Sequence, residues 1–155
     1  DLVAIAADDV PVIQSDRHRL EQILTNLVGN AVKFTEQGGI TIEVRSIDAP
    51  SGGGLGGLTV LADSGAAAVP VPGIAILVRD TGMGIRPEDL ARLAADFQQL
   101  EGTSERYGGT GLGLSISKKL AGLLGGRIAV GSRLSEGSTF ALLLPADGPH
   151  WRAAA

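Results

Sequence analysis

The sequence contains no cysteine and only two histidines among its 155 residues. Without cysteine, the chain can form neither a disulfide framework nor a metal site built on thiolates. Two histidines are also too few for a histidine-rich metal site. The absence of disulfides is compatible with a reducing compartment.

Aromatic residues are also scarce, at 3% of the chain, and the net charge is -4. Surfaces that bind nucleic acids combine clustered Lys and Arg with aromatic rings on which bases stack. The composition therefore argues against a nucleic-acid partner.

Long apolar runs are missing as well. No run of about 18 apolar residues and no basic start followed by an apolar segment occurs, so neither a membrane span nor a signal peptide is expected. With 44% hydrophobic and 19% charged residues, the chain can bury one core. We expect one soluble domain over residues 1–146 and a tail at 147–155. The start within a strand pattern at Asp1 suggests a segment of a longer protein.

Apolar periodicity predicts both helices and strands. The clearest helix follows a cap at Ser15 or Asp16, and its apolar face comprises Leu20, Ile23, Leu24, Leu27, Ala31 and Phe34. Gly38-Gly39 is expected to end it. Further helices are predicted after Pro87 and from Leu112. Strand patterns occupy residues 2–6, 40–44, 73–78, 127–132 and 138–144. This mixture predicts an α+β sandwich, with helices on one sheet face and the other face largely bare.

Two segments lack periodicity. Residues 48–73 hold seven Gly, five Ala and three Pro, which predicts an inserted flexible hairpin loop in which Leu58 to Leu61 could form a strand tip. Residues 97–109 are polar and aperiodic, and predict a second loop.

The stretch "GGTGLGLSISKKL", residues 108–120, places glycines directly before a helix. Successive glycines let backbone N–H groups converge on one point, and the helix N-terminus adds positive charge, so the pattern favours a phosphate chain. A flexible turn with a helix cap is the alternative. The spacing excludes both the P-loop and the G-x-G-x-x-G dinucleotide motif.

The first helix carries a polar stripe formed by Asn26, Asn30 and Lys33. Asn is a poor helix former, so two of them one turn apart favour a functional reason. Amide oxygens suit a hard cation such as Mg²⁺, which uses few protein ligands together with substrate phosphates, and Lys33 suits the phosphate. A solvated helix face is the alternative.

Asp80 follows a buried strand pattern and opens the sequence Asp-Thr-Gly-Met-Gly. A carboxylate at such a strand end can face a ligand, and Gly82 and Gly84 allow a ligand to approach the backbone closely. A simple turn is the alternative.

Taken in order, these segments resemble the catalytic and ATP-binding domain of sensor histidine kinases, in the GHKL ATPase superfamily. "DRHRLEQILTNLVGNAVKFT" resembles the N box, "VRDTGMGI" the first glycine box, and Phe97-Gln98 the F box. "GGTGLGLSISKKL" resembles the second glycine box and "SEGSTFALLLP" the closing hairpin. The resemblance covers most of the chain. It implies a Bergerat fold, a mixed sheet with about three helices on one face, and ATP and Mg²⁺ as cofactors.

The resemblance also implies residue roles. Asn30 would ligate Mg²⁺, Asn26 would support that site and Lys33 would contact phosphate. The Phe34 ring would pack on adenine, and Asp80 would accept a hydrogen bond from the adenine amino group. Further nucleotide contacts would come from Gly82, Gly84, Ile85, Arg106, Gly109, Thr110, Gly111, Leu112, Gly113, Leu114 and Thr139. Residues 97–109 would form a lid, although Gln99 replaces the basic residue of some members.

Asn26 also bears on the reaction. Superfamily members that hydrolyse ATP, such as the gyrase and mismatch-repair ATPases, carry Glu at this place, and an amide cannot accept a proton from water. The resemblance therefore implies phosphoryl donation to a protein histidine. The alternatives are a kinase directed at Ser or Thr, as in anti-sigma-factor kinases, and a pseudokinase that serves as an interaction module.

The acceptor histidine is expected elsewhere in the parent protein. His18 lies in the first turn of the predicted helix and His150 in the tail, and neither position matches the family's phosphorylated histidine. The resemblance implies an upstream dimerisation domain, a homodimeric parent and a downstream response regulator. The isolated domain is expected to be monomeric and cytoplasmic, whether or not the parent is anchored to a membrane.

Overall fold

A computed structural model of the protein describes residues 1–48, 57–61, 72–96 and 112–147. In chain order, the elements are β1 (Leu2–Ala6), α1 (Arg17–Phe34), β2 (Ile40–Ile47), β3 (Thr59–Leu61), β4 (Gly73–Asp80), α2 (Pro87–Asp96), α3 (Leu112–Leu123), β5 (Arg127–Arg133) and β6 (Gly137–Pro145). The predicted α+β sandwich with a mixed sheet is confirmed. Within these ranges, no helix is both long and apolar enough to cross a membrane.

The strands form one six-stranded sheet in the order β1-β2-β4-β6-β5-β3. β1 pairs with β2 in parallel, and every other neighbouring pair is antiparallel. Parallel neighbours need a crossover connection, which α1 supplies between β1 and β2. Thr59–Leu61 is an edge strand on β5, as the strand-tip interpretation allowed. Most of the 48–73 insertion, and residues 97–109, lie outside the described residues.

The ends of α1 have clear local causes. Asp16 is the N-cap, and its carboxylate accepts a hydrogen bond from the Arg19 N–H at 3.2 Å. The helix ends at Phe34, earlier than the predicted stop at Gly38-Gly39. Gly38 instead lies in the following turn with φ +131°, and a Cβ there would collide with the Thr81 hydroxyl. The glycine therefore permits close packing of this turn on the end of β4.

The main core lies between the sheet and the helices. α1 buries Ile23, Leu27 and Ala31, which are at most 4% exposed. They pack with Ala121 of α3, with Leu124 just after it, and with alternate residues of the central strands, namely Ile74, Ile76, Val78, Ile128, Val130, Leu142 and Leu144. Leu90 and Leu93 of α2 pack against the same cluster. All three helices in the described ranges thus cover one face of the sheet.

The expectation of a largely bare second face is wrong at the centre of the sheet. The intervening residues of the central strands are also buried there, namely Ile47, Ala75, Leu77, Ala129, Ala141 and Leu143. Leu58 and Val60 pack against them at the β3 edge. The continuous apolar run of β4 accounts for this, because such a strand is typically buried on both faces.

Candidate functional site

Asp80 is the last residue of β4 and is 8% exposed. It continues the alternation of Ile76 and Val78, so it lies on the helix-covered face. The N–H of Gly82 donates a hydrogen bond to Asp80 Oδ1 at 2.9 Å. This bond fixes the carboxylate against the loop that follows the strand. An ionised carboxylate only accepts hydrogen bonds, so this end of the sheet favours a ligand that donates one.

The loop after β4 is held by the end of α1. The N–H of Met83 donates to the carbonyl oxygen of Phe34 at 3.3 Å. A Cβ on Gly82 would collide with the same carbonyl group. Gly82 is therefore required by contact between two backbone segments of the protein itself, and its contact with a nucleotide stays a prediction.

The β5–β6 hairpin holds the other side of the loop. The N–H of Ser135 donates to the Met83 carbonyl at 2.8 Å. Gly84 has φ +69°, and a Cβ there would meet the carbonyl oxygen of Arg133. The N–H of Ile85 donates to Ser132 Oγ at 2.8 Å. Gly84 and Ile85 thus hold the loop against the β5–β6 hairpin. Contacts of these two residues with a nucleotide remain predictions.

The polar stripe lies on α1, whose last residue, Phe34, contacts this loop. Asn26 and Asn30 are half-buried, while Lys33 and Phe34 are exposed at the helix end. The Lys33 ammonium lies 5.5 Å from the centroid of the Phe34 ring, within cation–π range. Phe34 is 36% exposed, which leaves part of its surface available for contact with a ligand.

The donor chemistry of this stripe bears on which metal it suits. Among the described residues, no group of three or more His, Cys, Asp or Glu side chains is arranged to hold a metal ion. α1 carries the amide side chains of Asn26 and Asn30, whose oxygens are donors of the kind that Mg²⁺ takes. Mg²⁺ commonly takes only one or two protein ligands and completes its shell with waters and phosphate oxygens. The residues present therefore fit Mg²⁺ bound together with a phosphate chain.

α3 connects the stripe to the predicted glycine loop. The Asn26 amide donates from Nδ2 to Ser117 Oγ at 3.2 Å, and Ser117 is fully buried. Leu112 and Gly113 open α3, directly after the glycine-rich stretch, and Leu114 packs against the main core. Arg106, Gly109, Thr110 and Gly111 lie outside the described residues, so their predicted contacts stay predictions.

Thr139 is not brought to the site. It pairs with Arg79 and Gly131, and it alternates with Phe140 and Leu142, so it lies on the opposite face of the sheet from Asp80. Ser138 takes the position next to Asp80 instead: the two are register partners, and each is 8% exposed. Strand alternation provided a signal for Ser138, because Phe140, Leu142 and Leu144 mark the helix-covered face.

Comparison with known proteins identifies the family of this chain. The histidine kinase-, DNA gyrase B- and HSP90-like ATPase family matches residues 15–148. The chain belongs to this family. The matched range includes α1, the Asp80 loop, α3 and the closing hairpin.

The relatives are histidine kinases. Histidine kinase 5 of Arabidopsis thaliana is 42% identical over 90% of this chain. The signal transduction histidine-protein kinase BarA of Escherichia coli K12 is 42% identical over 85% of it. The chain spans only 16% and 13% of these two proteins.

This chain has the fold of the corresponding part of ShkA, as seen in the crystal structure of full-length ShkA in complex with AMPPNP. The TM-score is 0.68 and the sequences are 32% identical. The match covers 96% of this chain and 26% of the ShkA chain.

Proposed function

We propose that this chain is the ATP-binding catalytic domain of a two-component sensor histidine kinase. In this proposal it binds ATP with Mg²⁺ and donates the γ-phosphoryl group to a histidine on a separate upstream domain of its parent protein. The observation that carries the proposal is that α1 links two polar regions. At its C-terminal end Phe34 packs on the Asp80 loop, and eight residues earlier Asn26 bonds to α3.

The length of α1 between these contacts suits a nucleotide. Eight residues of helix rise about 12 Å at 1.5 Å per residue. An extended nucleoside triphosphate is of similar length. The base would lie at the end formed by Phe34 and Asp80, and the phosphates would lie toward Asn30, Asn26 and the start of α3.

The base end would select adenine through Asp80. The buried carboxylate accepts a hydrogen bond from Gly82 and can accept another from an amino group on a base. Phe34 would supply an apolar surface for the ring. Both contacts are proposals that rest on the burial of Asp80 and on the partial exposure of Phe34.

The phosphate end would use amide and ammonium groups. Asn30 would offer an amide oxygen to Mg²⁺, and Lys33 would offer an ammonium to the phosphates. Bound Mg²⁺ supplies neutralisation of the charge that develops during phosphoryl transfer. The N-terminus of α3 adds positive electrostatic potential toward the phosphate chain.

Asn26 favours transfer over hydrolysis. An amide does not titrate near neutral pH, so this side chain cannot take a proton from an attacking water. The amide instead donates to Ser117, which holds α1 against α3. Phosphoryl transfer then depends on positioning of an acceptor that comes from outside this chain.

The proposed partners follow from the need for an acceptor outside this chain. The upstream helices of the parent would present the acceptor histidine and form a homodimer, while the isolated domain would be monomeric. A response regulator would then receive the phosphoryl group. A cytoplasmic location, where ATP is available, belongs to the same proposal.

The decisive experiment uses this domain joined to its native upstream helices. Incubation with γ-labelled ATP and Mg²⁺ should label the protein with phosphate that is labile in acid and stable in base, as expected for phosphohistidine. The Asn30→Ala variant is the control and should remain unlabelled. Label that survives acid would indicate a hydroxyl acceptor, and a protein that binds no Mg-ATP would contradict the proposal altogether.

A further inference from the structure

Three polar side chains lie side by side at one end of the sheet. Asp80 of β4 is the register partner of Ser138 of β6, and Ser138 is the register partner of Ser132 of β5. Strand alternation places all three side chains on the face of the sheet that the helices cover. The row therefore runs from the candidate base-binding carboxylate into the β5–β6 hairpin.

The Ser132 hydroxyl makes three hydrogen bonds. It accepts one from the N–H of Ile85 at 2.8 Å and lies 2.9 Å from the carbonyl oxygen of Gly137, to which it donates. Its third contact is with Ser138 Oγ at 2.8 Å, where either hydroxyl could be the donor. A carbonyl oxygen can only accept, so the single proton of Ser132 is assigned to Gly137.

This assignment fixes the direction of the third bond. With its proton committed to Gly137, Ser132 can only accept from Ser138. The Ser138 proton then points to Ser132, and the other side of Ser138 Oγ carries only lone pairs. Ser138 beside the Asp80 carboxylate thus forms a pair of hydrogen-bond acceptors.

We propose that Ser132 is a positioning residue for base selectivity, because it orients the Ser138 hydroxyl so that the site accepts and does not donate. The inference rests on the proposed function, in which the base lies beside Asp80. Adenine carries an exocyclic amino group with two N–H donors. Hypoxanthine carries a carbonyl oxygen at the same position, and two acceptors repel that oxygen.

Inosine triphosphate is therefore the appropriate probe. It keeps the ribose, the triphosphate and the metal chemistry of ATP and changes only the base. Binding of ATP and of inosine triphosphate would be measured by calorimetry with Mg²⁺ present, and the ratio of the two dissociation constants is the readout. A general loss of packing weakens both nucleotides together and leaves this ratio unchanged.

Ser132→Ala is the primary variant. It frees the Ser138 proton to turn toward the base, so the preference for ATP over inosine triphosphate should fall by about tenfold, the effect of one ordinary hydrogen bond. Ser132→Thr retains the hydroxyl on a strand that tolerates β-branched residues, and should keep the wild-type ratio. An unchanged ratio in Ser132→Ala would overturn the inference.

Ser138→Ala provides an independent test, because it leaves the bonds of Ser132 to Ile85 and Gly137 in place. The ratio should fall in this variant, and adding Ser132→Ala to it should cause no further fall. A further fall would show that Ser132 acts by another route and would overturn the inference. If the wild-type domain binds ATP but the substitutions leave the ratio of the two dissociation constants unchanged, the role inferred for Ser132 is wrong while the proposed function stands. If the wild type binds neither nucleotide, the proposed function itself fails.

Discussion

The side-chain amide of Asn26 donates a hydrogen bond to the hydroxyl of Ser117 at 3.2 Å, although 91 positions separate the two residues. Ser117 is fully buried, so this hydrogen bond is shielded from water. The bond joins the helix that carries the amide stripe to the helix that follows the glycine-rich stretch. This bond between side chains is therefore one link between the two proposed phosphate-binding elements, beside the apolar packing of the same two helices.

Ser117→Ala should weaken binding of Mg-ATP by about threefold to tenfold, because a hydrogen bond of this kind contributes about 0.5–1.5 kcal/mol. The measurement is titration calorimetry on the single variants Ser117→Ala and Asn26→Ala and on the double variant. The effects should be less than additive, since either change removes the same bond. Lys119→Ala, at an exposed position of α3, is the control. Fully additive losses would show that the two side chains act separately.

Asn30→Ala should remove the enhancement of ATP binding by Mg²⁺ and should abolish phosphoryl transfer. The reason is that the metal would lose its amide ligand on α1, while the half-buried position leaves the core intact. The measurement is ATP affinity with and without Mg²⁺, together with thermal unfolding. Gln22→Ala, at an exposed position on the same helix, should leave both affinities unchanged. A variant that still transfers phosphate would discredit the metal role of Asn30.

Asp80→Asn should weaken the binding of ATP by roughly tenfold to a hundredfold. A hydrogen bond to a charged group contributes about 1.5–3 kcal/mol, and the replacement removes the charge at the buried end of β4. Equilibrium binding of a fluorescent or unlabelled ATP analogue measures the effect. Glu36→Gln removes the charge of an exposed carboxylate after α1 and should have little effect. Unchanged affinity in Asp80→Asn would remove this residue from the base site.

The sequence predicted most of the elements because their signals are local. Asp16 capped α1 as expected, and the apolar periodicity of the helix matched its buried face at Ile23, Leu27 and Ala31. The second face of the sheet was mispredicted, although the continuous apolar run of β4 carried the signal. Local sequence patterns therefore predicted the positions of helices and strands better than they predicted which faces of the sheet are buried.

The site was predicted less completely, because its contacts are not local. Pairing of Asn26 with Ser117 depends on how α1 packs on α3, and no spacing in the sequence reports it. The choice between Ser138 and Thr139 depends on which face of β6 meets the helices. One step along a strand reverses the face, so an error of one residue moves the side chain to the wrong side of the sheet.

Gly84→Ala should destabilise the fold by about 1–3 kcal/mol. Gly84 has φ +69°, which is costly for other residues, and an added Cβ would meet the carbonyl of Arg133. Because this glycine holds the loop after Asp80 against the hairpin, ATP affinity should fall as well. Urea unfolding followed by circular dichroism measures the stability change as a shift in the midpoint at constant slope.

Gly29→Ala provides the control for that measurement, because the same methyl group is added in a different environment. Gly29 lies within α1, is exposed, and has no atom within 4 Å of an added Cβ. Alanine is the better helix former, so this variant should be more stable than the wild type by roughly 0.5–1 kcal/mol. The opposite signs of the two changes follow from backbone conformation and available space alone. If Gly84→Ala were as stable as the wild type, the loop after β4 could not be held against Arg133 as described.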